Sequence, residues 1–155
     1  MASENLRKLP EYNDLHLFIA GGGKDDGSIK DLIDKHRDFI DYKGVVREKA
    51  ELLKLYRHCS IFAMPSIFET FGLVFIEALS QNTALIYSKG YGIDGMFQSR
   101  VGEVVDASDV KSIEEAIITI FNNRDNYSNK YVDFSVYDWE RISNNYLKMY
   151  EYIKD

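Results

Sequence analysis

Two carboxylates frame the stretch of this sequence best suited to chemistry. In Met64-Pro65-Ser66-Ile67-Phe68-Glu69-Thr70-Phe71-Gly72-Leu73-Val74-Phe75-Ile76-Glu77-Ala78-Leu79, Glu69 stands in a loop and Glu77 inside an apolar run. The run predicts a nearly all-apolar helix over 71–81, buried on most sides. The first turn of a helix carries unpaired N–H groups and the positive end of the dipole. The amides of Phe71, Gly72 and Leu73 therefore suit a phosphate or diphosphate. At about 1.5 Å of rise per residue, Glu77 lies roughly 9–10 Å along the helix from Phe71. Its side chain leans back toward the N-terminus. One carboxylate on each side of a diphosphate suits a nucleotide-sugar, with sugar hydroxyls for one and ribose hydroxyls for the other. The competing reading pairs Glu77 with a neighbouring Lys or Arg, because burying a lone charge is costly. Spacing alone leaves both open.

Other candidates are weaker. Gly21-Gly22-Gly23-Lys24 follows an apolar strand, but its spacing fits neither the dinucleotide fingerprint nor the P-loop, so a tight turn is expected. Ser88-Lys89-Gly90-Tyr91-Gly92-Ile93-Asp94-Gly95 carries three glycines in six residues, a backbone shaped for close approach or for amides facing an oxyanion. Arg47, just past Gly44-Val45-Val46, stands where a strand end would meet a base or phosphate. Cys59 reads as a small buried hydrophobe and His58 as a helix-end residue. A single cysteine excludes an internal disulfide, and three scattered histidines argue against a metal site.

These residues need a scaffold, and the apolar patches supply its outline. Leu15 to Ala20, a weaker Phe39 to Tyr42, Ser60 to Met64, Thr83 to Tyr87 and Gly102 to Val105 read as strands. Helices are expected over 28–39, capped by Asp25-Asp26-Gly27-Ser28, and from about Glu48, Val110 and Asp138. The last carries Trp139, Ile142, Tyr146, Met149, Tyr150 and Ile153 on one face. Strands alternating with helices over short connections predict an α/β fold: an open, mostly parallel sheet of about five strands flanked by helices, Rossmann-like. The 155 residues, 45% hydrophobic, suffice for one domain, taken as 1–155, with a core of its own. Nineteen basic against 25 acidic residues give a net charge of −6, which offers no whole-chain attraction to nucleic acid or an anionic membrane. The sequence opens without an apolar run and holds no stretch long enough to cross a membrane, so a cytoplasmic domain without a signal peptide is expected.

The ordered set of segments resembles the donor-binding C-terminal domain of family 4 retaining glycosyltransferases. Those enzymes have the GT-B architecture, two Rossmann-like domains with the active site between them. Glu69 and Glu77 resemble the family's Glu, seven residues, Glu signature. Leu17 to Gly23, Gly44-Val45-Val46, Leu52 to Tyr56, Ser60 to Ser66, Gly90 to Gly95 and Tyr137 to Tyr150 follow its order. The resemblance implies that Glu69 contacts the donor sugar at the reacting carbon and that Glu77 binds the ribose hydroxyls. Phe71, Gly72 and Leu73 would offer amides to the diphosphate and sugar, Val46 and Arg47 would line the base, and Gly92 would join the donor site. It implies a UDP- or GDP-sugar donor, no cofactor, no obligatory metal, and a glycan or lipid-linked acceptor presented by an N-terminal domain. Polysaccharide or glycolipid assembly, peripheral at the inner membrane face, is the setting suggested by analogy.

Two departures stand out. Asn82 and Ala84 occupy places where the family usually has glycine and proline. The family's opening strand, which ends in Gly-Arg with a lysine soon after, has no counterpart, since this sequence starts in what would be the next helix, 2–9. Because the first strand is central in this strand order, the strands at 15–20 and 61–64 should have exposed edges or pair directly across the gap. The sheet should be strained, patched by another chain, open to self-association, or part of a larger molecule. The 155 residues alone should then be catalytically incomplete. The rival reading is a non-catalytic nucleotide-binding or partner-docking module of the same fold. A sugar-nucleotide epimerase fits the signature spacing less well.

Overall fold

The computed structural model describes residues 1–23 and 28–153. Lys24 and the capping segment expected at 25–27 lie outside them. The elements, in chain order, are α1 (Ala2–Leu6), a 3₁₀ turn, β1 (Leu17–Ala20), α2 (Ser28–Lys35), β2 (Ile40–Gly44), α3 (Lys49–His58) and β3 (Ile61–Met64). They continue with α4 (Leu73–Ser80), β4 (Ala84–Ser88), β5 (Gly102–Val105), α5 (Val110–Asn122), two further 3₁₀ turns and α6 (Trp139–Ile153).

All strand pairs are parallel, and helices connect most of them. The five expected strands are present, but they form two sheets rather than one. β1 pairs with β2, and β3, β4 and β5 form a second sheet in that order. β1 and β3 do not pair across the gap.

β4 shows why the larger sheet holds. Every residue of Ala84-Leu85-Ile86-Tyr87-Ser88 is buried, as expected for a central parallel strand covered on both faces. Because side chains alternate between faces, Leu85 and Tyr87 enter one core with Tyr56, Phe75, Leu79, Ile93 and Val101. Ala84 and Ile86 enter the other with Val105, Ala116, Ile120 and Tyr127. The start of β5 lies so close to β4 that a Cβ on Gly102 would fall 2.0 Å from the Leu85 carbonyl oxygen, so only glycine fits.

The turn before β4 forms without the family's glycine. Asn82 adopts φ +61°, a left-handed conformation that asparagine tolerates better than most residues. The Asn82 carbonyl accepts from the Arg124 guanidinium (2.8 Å). Beneath it, Thr83 Oγ1 donates to the Tyr56 carbonyl (2.7 Å) and ties β4 to α3.

The smaller sheet joins the rest through helices. Asn5 of α1 donates to Glu114 of α5 (2.6 Å), and the Tyr12 and Phe121 rings lie 6.0 Å apart. The Phe18 ring of β1 stands edge-on to His58, 5.8 Å away. α6 contributes no buried residue. Its expected apolar stripe stands open, with Trp139, Tyr146, Met149, Tyr150 and Ile153 exposed.

Candidate functional site

Helix α4 starts at Leu73, two residues later than the apolar run suggested, and the difference lies in Gly72. This residue is the N-cap, with φ +72° and ψ +66°. A Cβ there would meet the buried Phe75 ring at 2.6 Å. Left-handed glycine thus turns the chain sharply into the helix where a side chain has no room.

Glu69 is fixed at this turn. Its Oε1 accepts from the backbone N–H of Thr70 (2.9 Å) and of Phe71 (3.3 Å). The carboxylate therefore sits at the positive end of α4, half-buried, satisfied by its own loop. Of the three amides singled out in the sequence, that of Phe71 is engaged by Glu69. Among the described residues, those of Gly72 and Leu73 have no protein acceptor.

The second glycine loop comes to the same place. The Gly92 N–H donates to the Glu69 carbonyl (3.3 Å), and a Cβ on Gly92 would lie 3.2 Å from Glu69 Cγ. Gly92 has φ +57°. Ile93 is fully buried in the core beside Phe75 and anchors this loop. The Gly90 N–H donates to Asp94 (2.7 Å) and closes it. The structure thus brings Glu69, Phe71, Gly72, Leu73 and Gly92 together.

Glu77 lies half-buried in the second turn of α4. Among the described residues it makes neither an ion pair nor a side-chain hydrogen bond, so the Lys or Arg partner of the competing reading does not appear. The Tyr56 phenol of α3 is pushed up to about 12, first by burial and second by the Glu77 charge. Val46 and Arg47 belong to the turn between β2 and α3. Val46 faces the gap between the sheets, and Arg47 is exposed. Gly21 has φ +138°, a conformation that favours glycine, and its carbonyl accepts from Tyr42 Oη (3.0 Å), the arrangement of a turn. Cys59 is half-buried, and burial pushes its thiol up.

Sequence reasoning passed over an aromatic pair on the two site loops. Phe68, 74% exposed, and Tyr91 stand edge-on with ring centroids 6.1 Å apart. The signal was available, because each precedes a site residue by one position. It also passed over Ser88, whose Oγ donates to the Ser66 carbonyl (2.6 Å) and locks the Pro65-Ser66 bend to the end of β4.

This geometry has relatives. The family described as glycosyl transferases group 1 matches residues 1–135. The chain belongs to that family. It is 29% identical over 132 residues to a probable sucrose-phosphate synthase of Thermosipho melanesiensis, covering 81% of this chain and 31% of that protein. It is 27% identical over 131 residues to a D-inositol 3-phosphate glycosyltransferase of Corynebacterium efficiens, covering 78% and 30%. The chain therefore spans about a third of the curated relatives it matches. Among solved structures, it superposes on sucrose-phosphate synthase of Thermosynechococcus elongatus with a TM-score of 0.73 at 21% identity, covering 89% of this chain and 38% of that one. HepE of Anabaena, solved with UDP and glucose, gives 0.65 at 17% identity, covering 81% and 35%. These likenesses establish a GT-B-type α/β domain within the glycosyltransferase family. Among the described residues no helix is long and apolar enough to cross a membrane.

Proposed function

We propose that this domain binds the nucleoside-diphosphate sugar of a retaining glycosyltransferase and that the whole protein transfers the sugar to a glycan or lipid-linked acceptor. The observation that carries the reading is the left-handed Gly72 cap, with Glu69 held against it and Gly92 docked on Glu69. Free amides at a helix start suit the diphosphate, whose charge grows as the glycosidic bond breaks. Glu69 stands within one turn of that position and is assigned to the donor sugar. Glu77, without an ion-pair partner among the described residues and farther down α4, is assigned to the ribose hydroxyls. Val46 and Arg47 are assigned to the base, and Gly92 to close backbone approach. The sugar carbon leaves the phosphate oxygen for the acceptor oxygen, and the acceptor's proton is released. The domain's share is positioning and charge stabilisation. The neighbour solved with UDP and glucose supports a UDP-sugar as the first donor to try.

Titration calorimetry with UDP, GDP and their glucose or mannose conjugates tests this. Binding should weaken by about tenfold or more in Glu77→Gln, the loss of one charge-assisted hydrogen bond. Glu69→Ala should also weaken binding of the sugar conjugate. Binding unchanged in both variants would refute the site.

A further inference from the structure

Phe68 and Tyr91 take no part in the core. Phe68 is 74% and Tyr91 42% exposed, yet their rings meet with centroids 6.1 Å apart at 65°. A single exposed aromatic ring is ordinary. Two rings paired across two loops are less so, because both loops must be held for them to meet. Those loops are the two that form the site: Phe68 directly precedes Glu69, and Tyr91 directly precedes Gly92.

The backbone holds the pair in place. Ser88 Oγ donates to the Ser66 carbonyl (2.6 Å), and the Gly92 N–H donates to the Glu69 carbonyl (3.3 Å). Phe68 thus lies in sequence between two cross-links from the end of β4 and the loop after it. On that loop the Asp94 N–H donates to the Tyr91 carbonyl (3.1 Å), and Ile93 is fully buried. The rings are arranged before any ligand arrives, so little freedom is lost when one is bound.

A carboxylate beside an open aromatic ring is the chemistry that holds a pyranose. The sugar's hydroxyls spread from its edge, where Glu69 accepts from them. Its C–H groups point from its two faces, where they meet the electron-rich face of an aromatic ring. An acyl chain would gain nothing from the carboxylate, and an anion would be repelled by it. In an α-linked nucleoside-diphosphate sugar the axial diphosphate oxygen occupies one face, so an aromatic ring is left the other. In the gluco configuration that face carries only axial hydrogens, the 2- and 4-hydrogens. A galacto sugar places its axial 4-hydroxyl there, and a manno sugar its axial 2-hydroxyl.

We propose that Phe68, propped by Tyr91, is a stacking platform for the sugar ring of the donor and selects gluco-configured sugars over galactose and mannose. This rests on the donor-site reading and adds the sugar's configuration to it. Glu69 meets hydroxyls at the ring's edge while Phe68 covers the face turned away from the diphosphate. The platform touches the ring and not the breaking bond, so its share is to orient the sugar.

Ligand-observed proton NMR on the 155-residue chain, titrated with UDP, UDP-glucose and UDP-galactose, tests this. UDP-glucose should bind about three- to tenfold more tightly than UDP-galactose, the span of one aromatic contact. Its 2- and 4-hydrogens should move upfield more than its 3- and 5-hydrogens, because the ring current acts on the stacked face. Phe68→Leu keeps apolar bulk at an exposed position and leaves the core intact. It should abolish the upfield shift and bring the two sugars within about twofold of each other. Tyr91→Ala, which removes the prop, should weaken the shift. Equal affinities for the two sugars, or a preference that survives Phe68→Leu, would overturn the platform while UDP binding kept the donor site standing. A loss in Phe68→Leu shared equally by UDP would show that Phe68 shapes the loop without meeting the sugar, and would overturn it too. Upfield shifts confined to the 3- and 5-hydrogens would refute the assigned face. Absence of UDP binding would overturn the donor-site reading and the platform with it.

Discussion

Replacing Gly72 by alanine separates two costs that usually arrive together. At φ +72° an L-residue loses about 1–2 kcal/mol to its own backbone sterics. The added Cβ would also stand 2.6 and 2.9 Å from Cδ2 and Cε2 of Phe75. That ring is 2% exposed and held edge-on by Phe62 and Tyr87, with centroids at 5.5 and 6.2 Å, so it cannot swing away. Overpacking of this kind costs about 1–3 kcal/mol more. Gly90→Ala supplies the control. Its φ is +77°, but nothing lies within 4 Å of the new Cβ, so only the backbone cost applies. In urea unfolding, Gly72→Ala should lose about 2–5 kcal/mol and Gly90→Ala about 1–2. Both should still fold if the domain has ordinary stability. Equal losses would show that Phe75 yields freely, and the argument that packing forces glycine at the α4 cap would fail.

Two further outcomes follow from the core. Thr83→Val removes the buried hydroxyl that donates to the Tyr56 carbonyl, and should cost about 0.5–1.5 kcal/mol in the same assay; an unchanged or raised midpoint would contradict it. Tyr56 and Tyr127 are pushed from 10.0 up to about 12, mainly by burial, with Glu77 adding to the first and the Glu103 hydrogen bond to the second. A raised phenol pKa stabilises the fold fully below the unfolded value, and that stability is lost as pH rises from 10 toward 12. Unfolding free energy should fall across that window, by about 2–3 kcal/mol for Tyr56, and Tyr56→Phe should flatten the fall. A curve of unchanged slope in the variant would refute the assignment.

What could be read in the sequence was what rests on local pattern. The continuous apolar run Ala84 to Tyr87 marks a strand covered on both faces, and β4 is that strand. Glycine clusters mark sharp turns, and Gly72, Gly90, Gly92 and Gly95 all have positive φ. The turn at Asn82 was harder to read, because an asparagine in a left-handed turn looks like any polar loop residue. The meeting of Glu69 with Gly92 was not legible. The Gly92 N–H reaches the Glu69 carbonyl only because Ile93 anchors its loop in a core assembled from distant segments. The aromatic stripe of α6 was legible as a stripe, yet periodicity does not say whether a face is covered, and this one is open.

The position of Glu69 bears on how the proposed site would work. Its carboxylate accepts from Thr70 and Phe71 N–H and so lies where a bound anion would seek the same amides. A diphosphate arriving at Gly72 and Leu73 meets this negative charge at close range. Either the phosphates keep to the two free amides, or Glu69 rotates away and yields Phe71. Rotation away from the loop amides also frees the carboxylate to meet sugar hydroxyls, so the second course couples phosphate binding to placement of the proposed sugar contact. The Gly92 backbone bond to the Glu69 carbonyl, rather than to its carboxylate, would hold the main chain still while the side chain moves. Under the proposed reading, the contacts that now satisfy Glu69 are those that donor binding exchanges.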